Sequence, residues 1–582
     1  MTHQKSSPLL YSRFLLLIAG MGGLLYGIDV GIIAAALLYL GKTISLSVEQ
    51  TGYIVAAVLG GGMSSSLVAG LLADWFGRKK MMIVSGLLFV LSVALIVLSQ
   101  GFVPLFLGRI LQGLSCGVIA VVAPLYLAEC LSAKTRGQGT AIFQFMLTFG
   151  IVVAATVGWF YTRQAEAAIA AAAGNPALIQ AAQSHAWRGM FLSVVYPGAF
   201  FLLGSFFLSE TPRWLVRKDR FDQATAALLR SCSAEEAELE MREMKALTLE
   251  NKRKAASGSL FQRKYIVPFL LACAVLSLNQ TTGINSVLQY LVIILKQAGM
   301  NPAHATQGDV AVKVLNCVIT IVAVALVDKK GRKFLLNLGT AGIVLAFLAA
   351  GLIFHGIDAE RLDVLSKVQS ASQNDTVTLH VDEPTLGPSV NGRPMALTVL
   401  YSSGSGDQVA TVVNSDENPV LALKAEAPPA PIRFGPAWVR SILAVFFPAP
   451  KGPPHLVIKR ALYGPVPGET TGWLVTACLG LFVASFAVGP GVVVWLMLSE
   501  LMPTRIRAMG MGIALLLNQG ASTLIAAVFL PVVGNFGYYA MFFFWAGCTV
   551  FYFLTSAFLL PETKGKSLEE IEIHFEKGGK AV

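Results

Sequence analysis

The chain has 582 residues, of which 55% are hydrophobic and 13% charged, with a formal net charge of +11. A mean hydropathy of +0.66 and a charged fraction far below the roughly 25% of soluble proteins exclude a water-soluble globular domain and indicate a membrane protein. The positive balance needs no nucleic-acid partner, because basic loops beside anionic lipid account for it, and the seven cysteines show neither metal-ligand spacing nor a disulfide framework.

Apolar runs long enough to cross about 30 Å of hydrocarbon as helix lie near 14–39, 52–72, 81–99, 103–128, 139–161 and 190–208. Six more follow near 266–295, 310–327, 334–354, 472–499, 509–533 and 538–560, giving twelve spans. The first run is too long for a secretory signal and lacks a cleavage site, so it is a retained span. It carries Asp29 in "LLYGIDVGII". A carboxylate among apolar side chains has its charged form disfavoured by desolvation, which suits reversible proton uptake; Arg109, near the start of span 4, is its natural partner. Span 5 contributes Gln144, and the Ala-rich stretch 164–183 after it adds extra helix. The linker at 210–264 contains a helical charge pattern over 233–254. Span 7 contributes Asn279, Gln280 and Asn285 around Gly283, whose missing side chain permits a break that frees backbone groups. Span 8 adds Asn316, span 10 Trp495, and span 11 Asn518 and Gln519. Amides in hydrocarbon are costly and border cavities; together they donate to and accept from hydroxyls, while an aromatic face covers the apolar side of a sugar ring.

Lysine and arginine gather in the short loops at one side: Arg78/Lys79/Lys80, Lys134/Arg136, Lys329/Lys330/Arg332/Lys333 and Arg505/Arg507. Basic loops stay cytoplasmic, so both termini are expected there. Two of these loops repeat. Asp74-Trp-Phe-Gly-Arg78-Lys79 returns 254 positions later as Asp328-Lys-Lys-Gly-Arg332-Lys333. Glu129 precedes Arg136 by seven residues, as Glu500 precedes Arg507. The halves are therefore copies, six spans each, with a site expected between them. The duplicated acid/base clusters are expected to form a cytoplasmic latch that closes as the halves approach and breaks as they part. Asp74 and Glu129 are 55 positions apart but Asp328 and Glu500 are 172 apart, so the second half carries about 117 extra residues. They fall at 356–471, where "DTVTLHV", "ALTVLY", "QVATVV" and "VLALKA" alternate with turn residues and predict a small β-rich extracytoplasmic module. Pro-rich segments after it flank "VRSILAVFF", too short to span and suited to the membrane surface.

Seven further strings, "GRILQGLSCG", "PLYLAE", "SETPRWL", "NQTTGIN", "VDKKGRK", "GPGVVVWLMLSE" and "PETKGKSLEEIE", occur in an order that resembles the sugar porters of the major facilitator superfamily. The resemblance covers all twelve spans. It implies an all-α membrane fold of two six-helix pseudo-repeats, the major facilitator fold, here with the inserted module. The implied division is 1–209 for the first bundle, 210–264 for the cytoplasmic linker and 265–355 for spans 7–9. The insertion then occupies 356–471, spans 10–12 occupy 472–560, and 561–582 form a cytoplasmic tail. The resemblance places Gln144, Gln280, Asn285, Asn316 and Trp495 where the family binds sugar, and adds Glu210, Arg213 and Glu562 to the latch. Proton-coupled members carry an aspartate at the Asp29 position, paired with the arginine matching Arg109, and facilitators an asparagine. Three positions depart: Asn279 replaces a glutamine, Gln519 an aromatic, and Gln289 a gating tyrosine. Where related symporters have an acid in span 6, this chain has Val194.

The expected function is monosaccharide:proton symport by alternating access, with a hexose or pentose, protons and the lipid bilayer as partners, no cofactor and no metal, in a monomer of the bacterial inner membrane. The alternatives are a facilitated-diffusion uniporter, a transporter-like sugar sensor and a drug efflux pump. No nucleotide-binding loop, metal cluster or catalytic triad points to an enzyme.

Overall fold

A computed structural model describes residues 8–131, 136–231, 233–242, 244, 263–387, 392–403, 406–416, 419–425, 455–501 and 507–564. The apolar segment 439–447, the second half of the linker helix expected over 233–254 (243 and 245–254), the tail beyond 564, and Lys134 and Arg505 lie outside the described residues.

Among the described residues, twelve helices are long and apolar enough to cross a membrane. Spans 1–6 are Leu10–Thr43, Val48–Phe76, Arg78–Val97, Phe102–Cys130, Ala141–Ala171 and Pro176–Phe206. Spans 7–12 are Ile266–Gln297, Pro302–Val327, Arg332–Ala359, Glu469–Leu498, Gly510–Phe536 and Tyr538–Phe558. Local chemistry sets several starts. Ser47 accepts from the Gln50 N–H in a capping box at span 2, and Asn301 caps span 8 ahead of Pro302, whose missing donor costs nothing there. Spans 2 and 8 are repeat mates, so the same device opens both. The Ala-rich segment lengthens the helices on either side of it: the helix carrying span 5 runs Arg136–Ala171. Its 36 residues reach roughly 54 Å, well past the hydrocarbon.

Packing repeats the duplication. Span 1 lies on span 5 and span 2 on span 4, as span 7 lies on span 11 and span 8 on span 10. Across the halves, span 2 packs along span 11 and span 8 along span 5, which exchange under the same two-fold, while span 1 meets the second part of span 7. The repeated Gly of the basic turns has the same left-handed backbone, φ 99° at Gly77 and 93° at Gly331. Only glycine adopts this without strain.

Between spans 9 and 10 stands the β-rich module. A four-stranded sheet has the order β1-β7-β4-β5, with β1 Leu362–Asp363, β4 Met395–Ser403, β5 Gly406–Val413 and β7 Val457–Pro465. A three-stranded sheet is β2-β3-β6, with β2 Ser372–Gln373, β3 Thr376–His380 and β6 Val420–Lys424. All pairs are antiparallel. Period-two alternation points Val377, Leu379, Leu421 and Leu423 of one sheet and Leu397, Val399, Ala461 and Tyr463 of the other into one core. Asn374 and Asp375, φ 49° and 57°, make the tight β2–β3 turn. Four strands coincide with the predicted segments; β7, the strand joining β1 to β4, was not anticipated.

Candidate functional site

Span 7 is broken in its middle. One helix ends at Thr281 and the next begins at Ile284. Gly283 between them has φ +76°, and a Cβ there would lie 2.3 Å from the Trp545 ring. The break gathers amides. Gln280 donates to Asn518 Oδ1 at 3.3 Å, and Asn285 donates to Gln280 Oε1 at 3.0 Å and to Ser522 Oγ at 2.8 Å. Asn518 in turn donates to the Leu276 carbonyl at 2.9 Å, and Gln289 to the Asn285 carbonyl at 3.1 Å. Asn518 and Ser522 are four apart on span 11 and so share a face. Each amide keeps donors or lone pairs beyond these bonds, so the network orients the groups without exhausting them. Asn279 is buried, and its Oδ1 has no partner among the described residues.

Gln519 turns the other way, to Tyr26 of span 1, and so reaches across to the first half. Gln144 and Asn316 sit on the mutually packed spans 5 and 8, outside the span 7–span 11 network. Trp495 is 43% exposed, while Val493, Val494, Met497 and Leu498 bury the other face of its helix. Hydrogen bonds thus unite Gln280, Asn285 and Asn518 and add Ser522; among the described residues none joins the side chains of Gln144, Asn316 or Trp495 to them.

The charged pair lies wholly in the first half. Arg109 Nη1 is 2.9 Å from Asp29 Oδ1 and donates to Gln112 Oε1 at 2.8 Å. The Phe191 ring lies 5.6 Å from the guanidinium, and the Cys116 thiol adjoins the carboxylate. Asp29 and Arg109 are 1% and 0% exposed. Among the described residues, Asp29 Oδ2 and Arg109 Nε and Nη2 have no hydrogen-bond partner. A buried pair left partly unsatisfied can exchange partners or protons at lower cost than a saturated one.

A second buried pair was missed. Lys313 Nζ is 2.8 Å from Asp309 Oδ2 and donates to the Gly31 carbonyl at 3.2 Å. The two side chains are 0% and 1% exposed. Gly31 is two residues beyond Asp29, so Lys313 ties the second half to the span bearing the first pair. Opposite charges at i and i+4 were the available signal. It escaped because span 8 was expected from 310, whereas the helix starts at Pro302.

At the basic-loop end, Arg78 bridges Asp74 at 2.7 Å and Glu129 at 2.9 Å, and Arg217 approaches the same carboxylates at 3.2 and 3.3 Å. Glu210 accepts from the Arg78 and Lys79 N–H groups at 2.8 and 3.2 Å. Glu562 repeats this on Arg332 and Lys333 at 3.0 and 3.1 Å. Burial pushes the Glu210 carboxyl up, against the pull of those N–H donors. Every contact named here stays within one half or its adjoining segment, so among the described residues these groups form a clasp inside each half. A cavity of about 1010 Å³ separates Leu71, Asp74 and Glu129 from Met511 and Leu515 of span 11 at this end. Arg213 lines it, and Leu515 is one helical turn from Asn518. The side chains of Arg136, Asp328, Glu500 and Arg507 lie outside the described residues.

A profile of the family described as "Sugar (and other) transporter" matches residues 15–371 and 455–575. The unmatched 372–454 fall inside the module. The glucose transporter GlcP of Staphylococcus epidermidis is 25% identical, over 96% of this chain and 97% of that protein. The galactose-proton symporter of Escherichia coli K12 is also 25% identical, over 97% and 95%. Among solved structures, the inward-open xylose transporter XylE of E. coli superposes with a TM-score of 0.66 at 20% identity, over 97% of this chain and 99% of that one.

Proposed function

The chain belongs to the sugar porter family of the major facilitator superfamily, a family of transporters rather than enzymes, and from that premise we propose that it carries a monosaccharide together with a proton by alternating access. The observation that supports this most is the division at the centre of the bundle. A saturable amide cluster of spans 7 and 11 suits hydroxyl recognition. Asp29 and Arg109, buried in the other half, suit proton binding. Proton loading breaks the Asp29–Arg109 pair and frees span 1 to shift against span 7, which exposes the amides to the other side. The substrate is a hexose or a pentose. Gln144, Asn316, Trp495 and Gln519 complete the walls around the bound ring, and the Glu210 and Glu562 clasps keep each half rigid while it rocks. Both termini and the cavity beside Met511 face the cytoplasm, by the basic-loop rule, in the inner membrane of a bacterium; the module faces out.

Counterflow of labelled glucose, galactose, xylose and arabinose into proteoliposomes, with and without an imposed pH gradient, tests the proposal. Exchange of at least one sugar, with accumulation driven by the gradient, is expected. Exchange without gradient-driven accumulation would replace symport with facilitated diffusion. Exchange of none of the four would reject the substrate class.

A further inference from the structure

A cavity of about 540 Å³ lies at the module end, between the large sheet and the ends of both halves. The first half contributes Lys42 and Thr51 to its wall, the second Asp358, and the module Thr398, Gln408 and Arg460. The module is fastened to each half. Arg460 donates to the Gly534 carbonyl of span 11 at 3.3 Å. The turn at Gly406 packs against Ser47 at the start of span 2. Beneath the cavity the spans are in close contact: Gly52 of span 2 approaches the Ala527 carbonyl so nearly that a Cβ would lie 2.6 Å from it. The cavity is thus roofed by the insertion and floored by the closed end of the transport path.

Its wall is unevenly charged. Lys42, Arg361 and Arg460 line it with Asp358 as the carboxylate among them. Arg361 holds Asp358 at 3.0 Å, and Arg460 faces the same group. Two guanidinium groups therefore share one carboxylate, and among the described residues neither Lys42 nor Arg460 has an acid of its own. Thr398 and Gln408 stand beside them with groups that pair with hydroxyls. The volume falls within the range of pockets that hold small molecules, about 300–1,000 Å³, and an arginine fork matches a carboxylate in two-point contact.

We propose that this vestibule is a second carbohydrate site, a waiting position above the closed gate, and that its preferred ligand is a monosaccharide bearing a carboxylate. That ligand class presupposes sugar transport as proposed above. The roof includes Thr398, Gln408 and Val409, which fall within the stretch 372–454 that the family profile does not match. The roof is therefore contributed by the insertion, while the charged groups Lys42, Asp358, Arg361 and Arg460 belong to the stretches that the profile matches.

Equilibrium binding of labelled D-glucuronate and D-glucose to the full-length protein in nanodiscs of neutral lipid tests it. In Gln280→Ala/Asn285→Ala, which disables the central amides, one glucuronate site per chain should remain. Lys42→Gln and Arg460→Gln should each weaken that site about tenfold, as loss of a charged hydrogen-bond donor does, and glucose should bind it more weakly than glucuronate. Arg460→Gln also cuts the tie to Gly534, so Lys42→Gln, whose side chain is exposed, carries the decision. Absence of a residual site, a residual site indifferent to Lys42→Gln, or equal binding of glucose would each overturn the proposal. Failure of sugar transport itself shows separately, as wild-type proteoliposomes that exchange no sugar.

Discussion

The two halves share a fold but not a chemistry. The first buries charge in its middle, Asp29 on Arg109; the second buries neutral amides, Gln280, Asn285 and Asn518, at the break in span 7. At the basic turns the halves stay alike, down to Glu210 and Glu562 each accepting from the N–H groups of the corresponding Arg-Lys pair, Arg78/Lys79 and Arg332/Lys333. Duplication has kept what holds each bundle together and let the centre diverge. Ionic and hydroxyl recognition demand opposite surroundings, since a charge needs a partner and a hydroxyl needs groups that both donate and accept. The pair Asp309–Lys313 departs from this division, because it places charge in the amide-bearing half, with Lys313 against span 1.

That exception offers the sharpest break. Lys313→Met leaves Asp309 buried and unpaired, and the loss of stability should be about 3–5 kcal/mol; Asp309→Leu/Lys313→Met should recover most of it in a thermal-shift assay. Arg109→Leu should cost a similar amount for the same reason, with Asp29→Asn/Arg109→Leu recovering the fold but not gradient-driven uptake. If the double variants stay as unstable as the singles, the pairs are not what holds these positions. On the amide side, Gln280→Ala or Asn518→Ala removes about 1–3 kcal/mol of sugar binding, read as a rise in KM of about fivefold or more, with the pH profile of uptake unchanged. A shifted pH profile would mean that the two chemistries are not separate. The smallest effect belongs to the shared turns. Glu210→Gln and Glu562→Gln each weaken charged acceptors of two N–H groups, so each should lower stability by about 1–2 kcal/mol, and by equal amounts. Unequal losses would show that the clasps are alike only in geometry.

Much of this organisation is legible in the residues. Hydropathy locates twelve spans because lipid imposes one length on all of them. Gly283 marks the break because no other residue fits both its backbone angle and the Trp545 ring. Asp29 and Arg109 stand out because charge is scarce in such segments. What was hidden depends on partners across the chain. Spacing shows that Asp74, Arg78 and Glu129 repeat as a pattern, but not that they close on each other and on Arg217 within one half. Asp309 was lost at a helix boundary, where hydropathy is least informative. Strand β7 was lost because its partners β1 and β4 are distant in the chain, as Leu362 paired with Tyr463 and Met395 paired with Pro465 show.

The proposed division between a proton half and a sugar half is tested most directly by Asp29→Asn in proteoliposomes. Counterflow of the transported sugar should continue at a rate near that of the wild type, while accumulation driven by a pH gradient should fall to the equilibrium level. Accumulation that survives the substitution, or counterflow that disappears with it, would contradict the account.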